Sequence, residues 1–531
     1  MDTYDHIIKN GMIIDGTRAP RYQADIGIRR GVITRVGNLS TARAAQTTDA
    51  AGLMISPGFI DVHAHSDAWL LKYPCFLPKT SQGYTTEFLM LDGISYAPVD
   101  EHTYRDWIVY LRALNGLSLR EYTGWKSLAD YMSRLDNQNF QNTAAFIPYG
   151  NVRSLVCGFD RHPPDDFQLK EIKALVAQGM EAGALGVSTG FDYLSQCFAS
   201  TEEMVAVCRE LANHKGVYVT HIRYQMGILD GLKEAIDIGQ KAGVPVHISH
   251  LKGSTQAEAE AILAYIDTTA IHEVDFSFDV YPYSASSTML STLLPHEVWT
   301  EGSLAVLGKL KEPRVQDLFA RRLARTPLDR VVLAWTGTHN NQGLAGKTLE
   351  DYITSTGESP AKALTDLLIE ENLAVLLVFL QGEDALVASF LTHSHGMIGS
   401  DGIYQENGRL HPRLYGTAGR VLGGCVRDWR LFTLEEAVYK LSGYPAERFG
   451  LPKRGCIQEG YFADLVSFEA NAIQDNATFE NPRQLSTGIV DVWVDGIKIL
   501  KQGKASENTI TPLPGRYLRR GEVISLDKMR G

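Results

Sequence analysis

The stretch SPGFIDVHAHSD, residues 56–67, joins an apolar run to two histidines. Phe59–Val62 predicts a buried strand, and His63 and His65 follow it directly. Side chains at positions i and i+2 of a strand point to the same side, so both imidazoles can reach one point in space. The pair therefore predicts two nitrogen ligands for a metal ion, although two histidines on a polar surface loop would give the same pattern.

The chain as a whole has an ordinary globular composition. Its 531 residues are 44% hydrophobic and 21% charged, which is enough for one large core and a smaller second domain. A net charge of −11 gives no electrostatic reason to expect a nucleic-acid or membrane partner. Residues 1–16 hold no apolar run of signal or anchor length. The six cysteines show no CxxC spacing and indicate free thiols, so we expect a cytoplasmic protein.

The two ends of the chain differ from its middle. Residues 1–54 contain short alternating segments broken by turns, and residues 455–531 repeat this style, with a hairpin signal at Asp495-Gly496. Neither end alone can bury much apolar surface. We therefore expect both ends to build one small β-sandwich domain, the alternative being two independent appendages.

The middle of the chain, residues 55–454, alternates apolar strand-like runs with amphipathic helical patterns. The predicted strands read MISPGFIDV, TTEFLML, TAAFIPY, ALGVST, VYVTH, PVHISH, EVDFSFDVY and the run ending in MIGSD. About eight such repeats predict an α/β fold, a deformed (β/α)8 TIM barrel. After Tyr283 the pattern is interrupted, and residues 284–345 are predicted to be an insertion on the loop face, where lids are common.

Metal-binding side chains end several of these predicted strands. His221 ends the fifth, His250 the sixth and Asp401 the last, which adds three groups to His63 and His65 after the first. In barrels of this kind the active site lies at the C-terminal ends of the strands. A single histidine there is more often a hydrogen-bonded core residue, but four histidines and an aspartate together predict one shared site.

These residues belong to a longer set of motifs that resembles the amidohydrolase superfamily, and more closely its D-aminoacylase (N-acyl-D-amino-acid deacylase) branch. The similarity runs almost from end to end and includes SPGFIDVHAHSD, QGYTTE, EAGALGVSTGFDY, GVYVTHIR, HISHLK, DVYPYSASST, GSDG, HPRLYGTAGRVL and GYFADLV. The resemblance implies a deformed barrel with a β-sandwich from both termini, bound zinc, and hydrolysis of an N-acyl bond.

Two segments depart from that family's pattern. In the deacylases a cysteine in a GNCG segment is a metal ligand, whereas the aligned segment here is LMLDGIS, with Asp92 in place of the thiolate. We predict that Asp92 is a ligand, although an Asp before Gly93 is also common in turns. A carboxylate suits zinc and also accepts manganese, iron or cobalt. After the third strand, Asn151 replaces a histidine of the deacylases' pocket, which leaves room for a different substrate.

The resemblance implies one or two zinc ions, with other divalent metals as alternatives. The predicted ligands divide into a tight site and a second position, with Asp92, His221 and His250 in the first and His63, His65 and Asp401 in the second. Such a metal ion lowers the pKa of a bound water from ~16 toward ~7. Asp401 is the predicted general base that takes a proton from this water and returns it to the leaving nitrogen, a transfer worth about 10²–10⁴ in rate.

Four further side chains near the rim are predicted to bind the substrate. By resemblance, Lys252 and Arg413 would hold a substrate carboxylate, and Arg413 could do so bidentately. Tyr193 and Tyr283 match positions with which the family lines its pocket and donates hydrogen bonds. The structural alternatives are a solvated lysine, an arginine that braces a loop and a tyrosine of the core.

The leading hypothesis is a metal-dependent amidohydrolase, a hydrolase of non-peptide C–N bonds that cleaves an N-acyl-D-amino acid or a close analogue. Asp92 and Asn151 prompt a second hypothesis, a hydrolase of a cyclic amide or another non-peptide C–N bond. A third is a lyase or isomerase with the same metal pocket. A fourth is a non-catalytic scaffold, against which the four histidines and Asp401 argue. The expected partner is a small molecule that carries an amide and a carboxylate; the sequence predicts no oligomeric state.

Overall fold

The computed structural model describes residues 3–505 and 512–521. Its strands, in chain order, are β1 (Thr3–Ile13), β2 (Tyr22–Arg29), β3 (Val32–Gly37), β4 (Arg43–Asp49), β5 (Met54–Pro57), β6 (Phe59–Asp61), β7 (Tyr84–Leu89), β8 (Asn142–Ala145), β9 (Ile147–Pro148), β10 (Gly186–Gly190), β11 (Val217–His221), β12 (Val246–Ile248), β13 (Phe276–Val280), β14 (Ser286–Met289), β15 (Val331–Thr336), β16 (Val375–Phe379), β17 (Gly396–Ile398), β18 (Leu465–Phe468), β19 (Ile489–Val494), β20 (Ile497–Lys501) and β21 (Lys504–Ala505).

The α-helices lie between and around these strands, together with short 3-10 and π segments. In chain order they are α1 (Trp69–Lys72), α2 (Leu77–Thr80), α3 (Tyr104–Asn115), α4 (Leu128–Ser133), α5 (Tyr149–Cys157), α6 (Asp166–Glu181), α7 (Thr201–His214), α8 (Ile228–Ala242), α9 (Gln256–Tyr265), α10 (Ile271–Glu273), α11 (Ser303–Lys309), α12 (Pro313–Leu323), α13 (Leu349–Thr356), α14 (Pro360–Glu370), α15 (Ala385–Thr392), α16 (Arg413–Arg420), α17 (Leu434–Val438) and α18 (Tyr444–Phe449). None of the helices in the described ranges is long and apolar enough to cross a membrane.

Parallel strands close into a barrel, which confirms the predicted α/β fold class. The order around the barrel is β6, β7, β8 with β9, β10, β11, β12, β13 and β17. The barrel closes between β17 and β6, where the Asp401 amide donates to the His63 carbonyl at 2.8 Å and the His65 amide donates to the Gly402 carbonyl at 3.2 Å. Residues that follow the strands therefore lie along one rim of a closed ring.

The helices that cover the barrel start and stop where their sequence dictates. The Asp165 side chain caps α6 by accepting hydrogen bonds from the backbone amides of Phe167 and Gln168. Two βα units later, α8 stops at Gly243, which has the left-handed φ of 71° that glycine adopts without strain. Leu232 and Ile236 lie four positions apart on one face of α8 and are fully buried.

Strands from both ends of the chain form a second sheet. It has nine strands in the order β21-β20-β19-β18-β5-β1-β2-β3, with β4 paired to β1. Because β18 lies between β19 and β5, the C-terminal strands pair directly with the N-terminal ones. Ile13, Ile55, Leu465 and Trp493 have no exposed surface in its core. The division of the chain after residues 54 and 454 stays a prediction.

The first predicted strand, MISPGFIDV, is two strands in the structure. β5 belongs to the terminal sheet and β6 to the barrel, and Gly58 lies between them. The Gly58 amide donates to the Asp464 carbonyl at 2.8 Å, which ends the pairing of β5. A Cβ at this position would lie 2.2 Å from Thr85 Oγ1, so only glycine fits where the chain passes from one sheet to the other.

The region between β13 and β17 contains an antiparallel sheet of three strands. β16 lies in the centre and pairs with β14 and β15. The insertion predicted at 284–345 is therefore too short, because β16 lies beyond residue 345. The sequence VLLVF of β16 is a continuous apolar run, and such a run looks the same in a buried barrel strand as in the centre of a small sheet.

The C-terminal segment, residues 512–521, runs back along the barrel. The Leu513 amide donates to the Asn137 carbonyl at 3.1 Å, and the Leu518 amide donates to the Thr143 carbonyl at 2.7 Å. Further along, the Arg520 amide donates to the Gly183 carbonyl at 3.0 Å. This segment thus adds backbone hydrogen bonds beside β8 and before β10.

Candidate active site

All six predicted metal ligands lie at the C-terminal mouth of the barrel, because parallel strands bring their C-terminal ends to one side. Each ligand ends or closely follows a strand: His63 and His65 follow β6, Asp92 follows β7, His221 ends β11, His250 follows β12 and Asp401 follows β17. The predicted convergence of groups distant in sequence is thus present in the described structure.

Asp92 lies at the centre of this cluster. Its carboxylate oxygens lie 3.4 Å from His63 Nε2 and 3.5 Å from His65 Nε2. They also lie 3.7 Å from His250 Nε2 and 3.9 Å from His221 Nδ1. One carboxylate is therefore within reach of all four imidazoles.

Asp401 faces the paired histidines on the other side of the cluster. Its Oδ1 lies 3.2 Å from His65 Nε2 and 3.9 Å from His63 Nε2. Its Oδ2 lies 2.9 Å from Arg413 Nη1. The two oxygens thus have separate environments, one directed at the imidazoles and the other held by a guanidinium.

The cluster fits a divalent metal ion. Two sets of donors have ligand atoms within 4.8 Å of one another: His63, Asp92 and His250, and His63, His65 and Asp401. Both ring nitrogens of His63 and Oδ1 of Asp92 are buried and have no hydrogen-bond partner among the described residues. Buried polar atoms without partners are rare in folded proteins, and a metal ion would satisfy these donors. Imidazole nitrogens and carboxylate oxygens suit zinc and several other divalent metals.

The charges around the cluster keep both carboxylates ionised. Burial by itself opposes ionisation of Asp401, but the Arg413 guanidinium and His65 hold its pKa far below the usual value. Burial likewise opposes ionisation of Asp92, and His63 with His250 holds that pKa well below its usual value. The site therefore presents negative oxygens to a cation.

The backbone at the site is strained at three of the predicted ligands. Asp92, His250 and Asp401 have φ values of 55°, 39° and 49°, in the left-handed region that side chains other than glycine seldom adopt. At His250 the strained amide is held by Asp279, whose Oδ1 accepts a hydrogen bond from it at 2.9 Å. Strain that the surroundings maintain is typical of functional sites.

Asp279 is a functional residue that the sequence analysis missed. Besides His250, its carboxylate contacts His247 Nε2 at 3.0 Å and lies 3.6 Å from His63 Nδ1. It therefore holds the ring of His247 and the backbone of the predicted ligand His250, and it places a negative charge beside His63. The signal was a charged residue inside the apolar strand FSFDV, which a buried network would explain. His247 has its second hydrogen bond with Ser277 and is structural.

Asp192 is the second residue that the sequence analysis missed. Its Oδ2 lies 3.2 Å from His221 Nε2, while Nδ1 of the same ring lies 3.1 Å from His250 Nε2. A carboxylate that accepts the Nε2 proton leaves Nδ1 unprotonated and directed at the cluster. The signal was the acid in GFDY, directly before the predicted pocket residue Tyr193.

Asn151, the second departure from the family pattern, supports the loop after Asp92. Its Oδ1 accepts from the Ser95 amide at 2.9 Å, and its Nδ2 donates to the carbonyls of Ser95 at 2.8 Å and Pro98 at 3.3 Å. Asn151 is fully buried and does not line the cavity over the cluster. The structure thus gives it a bracing role rather than a substrate contact.

A cavity of about 540 Å³ opens over the cluster, and two of the predicted substrate-binding residues line it. The Tyr193 ring lies 4.9 Å from that of His221. Lys252 Nζ donates to Tyr281 Oη at 2.8 Å and to the Ser284 carbonyl at 2.7 Å. Burial lowers the pKa of Lys252 well below its usual value, and the nearby Arg413 charge lowers it further.

The other two predicted substrate-binding residues do not line this cavity. Arg413 is fully buried behind Asp401, and its guanidinium lies 4.6 Å from the centre of the Tyr281 ring. Tyr283 is 2% exposed, and its hydroxyl donates to Asp475 Oδ2 at 3.3 Å. Tyr281, the first residue after β13, lines the cavity wall instead, because the chain has turned away by position 283.

Comparisons with known proteins agree with this geometry. The chain matches the amidohydrolase family over residues 46–498. D-aminoacylase of Alcaligenes xylosoxydans xylosoxydans is 35% identical over 94% of this chain and 95% of that protein. A crystal structure of N-acyl-D-glutamate deacylase from Bordetella bronchiseptica, complexed with zinc and a phosphonate inhibitor that mimics the tetrahedral intermediate, superposes with a TM-score of 0.82 at 29% identity, over 98% of this chain and 100% of that one. A structure of D-aminoacylase with a binuclear metal centre gives a TM-score of 0.80 at 34% identity, over 97% and 100% of the two chains.

Proposed function

This chain belongs to the amidohydrolase family, and from that premise we propose that it hydrolyses the amide bond of an N-acyl-D-amino acid with the help of a divalent metal ion. The observation that carries the proposal is the cluster at the barrel mouth, where four imidazoles and two carboxylates surround one point. The relatives with which it shares this fold include a D-aminoacylase and an N-acyl-D-glutamate deacylase.

Zinc suits the proposed site best, with other divalent ions as alternatives. Two ligand sets would hold it, with Asp92, His221 and His250 in one and His63, His65 and Asp401 in the other. When bound, the metal ion supplies a Lewis acid that makes a water more acidic and the amide carbonyl more electrophilic. Asp92 belongs between the two positions because it reaches the histidines of both sets.

Asp401 is the proposed general base. Its ionised Oδ1 faces the imidazoles and is free to accept a proton from the attacking water, while Arg413 holds Oδ2. The Asp401 amide donates to the His63 carbonyl, which fixes the backbone, and the contact of Oδ2 with Arg413 orients the side chain. After attack, the same carboxyl returns the proton to the leaving nitrogen, and the amine departs.

The cavity over the cluster would hold the amino acid. Lys252 places its amino group in the wall, and Tyr193 covers the side next to His221. Arg413 acts through Asp401, by keeping it charged and oriented, instead of touching the substrate.

The first experiment offers N-acetyl-D-amino acids, their L-enantiomers and cyclic amides to the metal-reconstituted protein, with free amine and carboxylate as the readout. We expect release of acetate from D-substrates only. Ring opening without release of acetate would favour the cyclic-amide alternative, and turnover without incorporation of water would favour a lyase or isomerase. Loss of enantiomer preference would contradict the proposed substrate class.

The second experiment replaces the general base. Asp401→Asn should lower kcat by about 10²–10⁴, because the amide cannot accept the proton. Metal content is measured in the same preparation, which separates loss of the base from loss of a ligand. Asp237→Asn, on the exposed surface of α8, is the control for a lost carboxylate and should leave kcat unchanged. Full activity of Asp401→Asn with full metal content would remove Asp401 from the mechanism.

A further inference from the structure

The cavity over the metal-ligand cluster continues into a second cavity of about 520 Å³. Leu293, Arg322, Phe379 and Gln381 line both. The two cavities are therefore neighbouring parts of one cleft. The second part lies between the end of α12 and the end of β16, both of which belong to the region inserted between β13 and β17.

Four arginines line the second cavity, Arg321, Arg322, Arg325 and Arg330. Among the described residues, no Asp or Glu contributes to this wall. The other lining side chains are apolar or uncharged. Such a concentration of positive charge is unexpected in a chain with a net charge of −11. We call these four residues the arginine cleft.

The guanidinium groups of the arginine cleft have no protein counter-ion. Within residues 3–505 and 512–521, none of them forms an ion pair or donates a side-chain hydrogen bond to another described residue. Arg153, by contrast, pairs with Glu203 at 3.0 Å, as arginines near acids elsewhere in the molecule do. The four donors thus remain available to a ligand.

The helix dipole explains only part of this arrangement. Arg321 and Arg322 lie in the last turn of α12, where positive charge compensates the unpaired carbonyl groups. Arg325 lies just beyond the end of the helix, but Arg330 lies seven residues beyond it, where the dipole no longer acts, and Arg330 faces the same cavity. A shared function of the four arginines, such as binding an anion in this cavity, explains their common location more simply.

We propose that the arginine cleft binds a carboxylate that the substrate carries at a distance from the scissile amide. This proposal rests on the proposed function, since it assigns the second cavity to the far end of the same substrate. A guanidinium binds carboxylates with two parallel hydrogen bonds, and a cluster of them discriminates strongly against neutral groups. The carboxylate can belong to the acyl chain or to the side chain of the amino acid, and the two arms of the test distinguish these carriers.

The test compares charged and neutral substrates of equal length in two arms. The acyl arm pairs N-adipoyl-D-methionine with N-hexanoyl-D-methionine, and the side-chain arm pairs N-acetyl-D-2-aminoadipate with its terminal amide. In at least one arm we expect kcat/KM to favour the anionic substrate. Arg322→Gln and Arg325→Gln should each reduce the ratio of kcat/KM for the anionic substrate to kcat/KM for the neutral one by about fivefold, the effect of one partly solvated ion pair. The arm that responds identifies the carrier of the carboxylate.

A matched control comes from the same helix. Arg314 lies in the first turn of α12, is exposed and does not line the cleft, so Arg314→Gln should leave both ratios unchanged. Higher salt should weaken the preference of the wild-type protein and have less effect on Arg322→Gln. Equal ratios in the wild-type protein and Arg322→Gln in both arms would overturn the proposal.

A binding measurement separates this proposal from the proposed function. Adipate is titrated calorimetrically into the metal-loaded wild-type protein and into the double variant Arg322→Gln/Arg325→Gln. We expect the double variant to bind adipate at least about fivefold more weakly, whether or not the protein hydrolyses any N-acyl-D-amino acid. Equal affinity would refute the arginine cleft as a carboxylate site even if hydrolysis is observed.

Discussion

Asp92 reaches all four histidines at the barrel mouth, so a change in this one carboxylate affects both metal positions. Asp92→Asn keeps the shape and removes the charge. We expect elemental analysis to find at least one metal ion fewer per chain, because an amide oxygen is a weaker ligand than a carboxylate. Unchanged stoichiometry would leave Asp92 only a turn-forming role.

Asp92→Cys is the companion variant, since it supplies the thiolate that the related deacylases carry at this position. A softer ligand should keep zinc in the site and reduce binding of manganese. Equal affinity of Asp92→Cys and the wild-type protein for both metals would show that the ligand at position 92 does not select the metal.

Asp192 should act on metal affinity through His221. Asp192→Ala removes the acceptor that leaves Nδ1 of the ring unprotonated, and such losses typically weaken metal binding by about 10- to 100-fold. Chelator competition at fixed pH measures the affinity directly. Asp192→Asn keeps an acceptor oxygen and should lie closer to the wild-type protein. Identical affinities of all three proteins would contradict the orienting role.

The convergence of the six predicted metal ligands was predictable from sequence because each stands at the end of an apolar run, and a barrel brings such ends together. Asp192 and Asp279 were not, since their partners lie 29 residues or more away in sequence and on other strands. Arg413 was assigned to a substrate carboxylate by resemblance, and its contact with Asp401 at 2.9 Å is one that a one-dimensional pattern does not show.

At the scale of elements, apolar runs predicted every barrel strand, and the errors arose where one pattern fits two environments. The run MISPGFIDV reads as one strand, yet the close approach of Thr85 to Gly58 divides it between two sheets. VLLVF in β16 reads like a barrel strand because a strand with both faces covered shows no alternation, whichever sheet it joins.

Strand β1 carries a buried histidine whose titration should affect stability. Burial, together with the Lys498 charge, lowers the pKa of His6 to about 4. Above pH 6.5 the ring is neutral in both folded and unfolded chains. As the pH falls from 6.5 to 4, the unfolded chain takes up a proton that the folded one does not, so stability is lost in this window.

The variant His6→Gln removes this titration. Urea denaturation at pH 7 and pH 4.5 should show a smaller loss of stability for the variant than for the wild-type protein, by up to about 3 kcal/mol. His102, which is exposed and belongs to neither sheet, provides the control His102→Gln, with the same pH dependence as the wild-type protein. If His6→Gln also keeps the full pH dependence, His6 is not one of the groups responsible.

At the scale of the whole molecule, segment 512–521 connects the terminal sheet to the barrel. Several of its backbone groups bond to the chain around β8 and to Gly183. A chain that stops after residue 511 should lose about 5 kcal/mol of unfolding free energy, at roughly 1 kcal/mol for each lost hydrogen bond. Chemical denaturation measures this loss, and a chain that stops after residue 521 is the control. Equal stability of the two truncated chains would show that the segment does not support the barrel.

The barrel closes between β6 and β17 through some of the same residues that would carry out the reaction. The amides of His65 and Asp401 form the hydrogen bonds that join the segment after β6 to the segment after β17. The spacing of these two segments therefore also sets the distance between the Asp401 carboxylate and the histidines, across which a proton would move. A substitution that widens the contact between the ends of β6 and β17, even from a distance, should slow turnover before it lowers the fraction of folded protein. In this barrel, catalytic rate should therefore report on closure more sensitively than the folded fraction does.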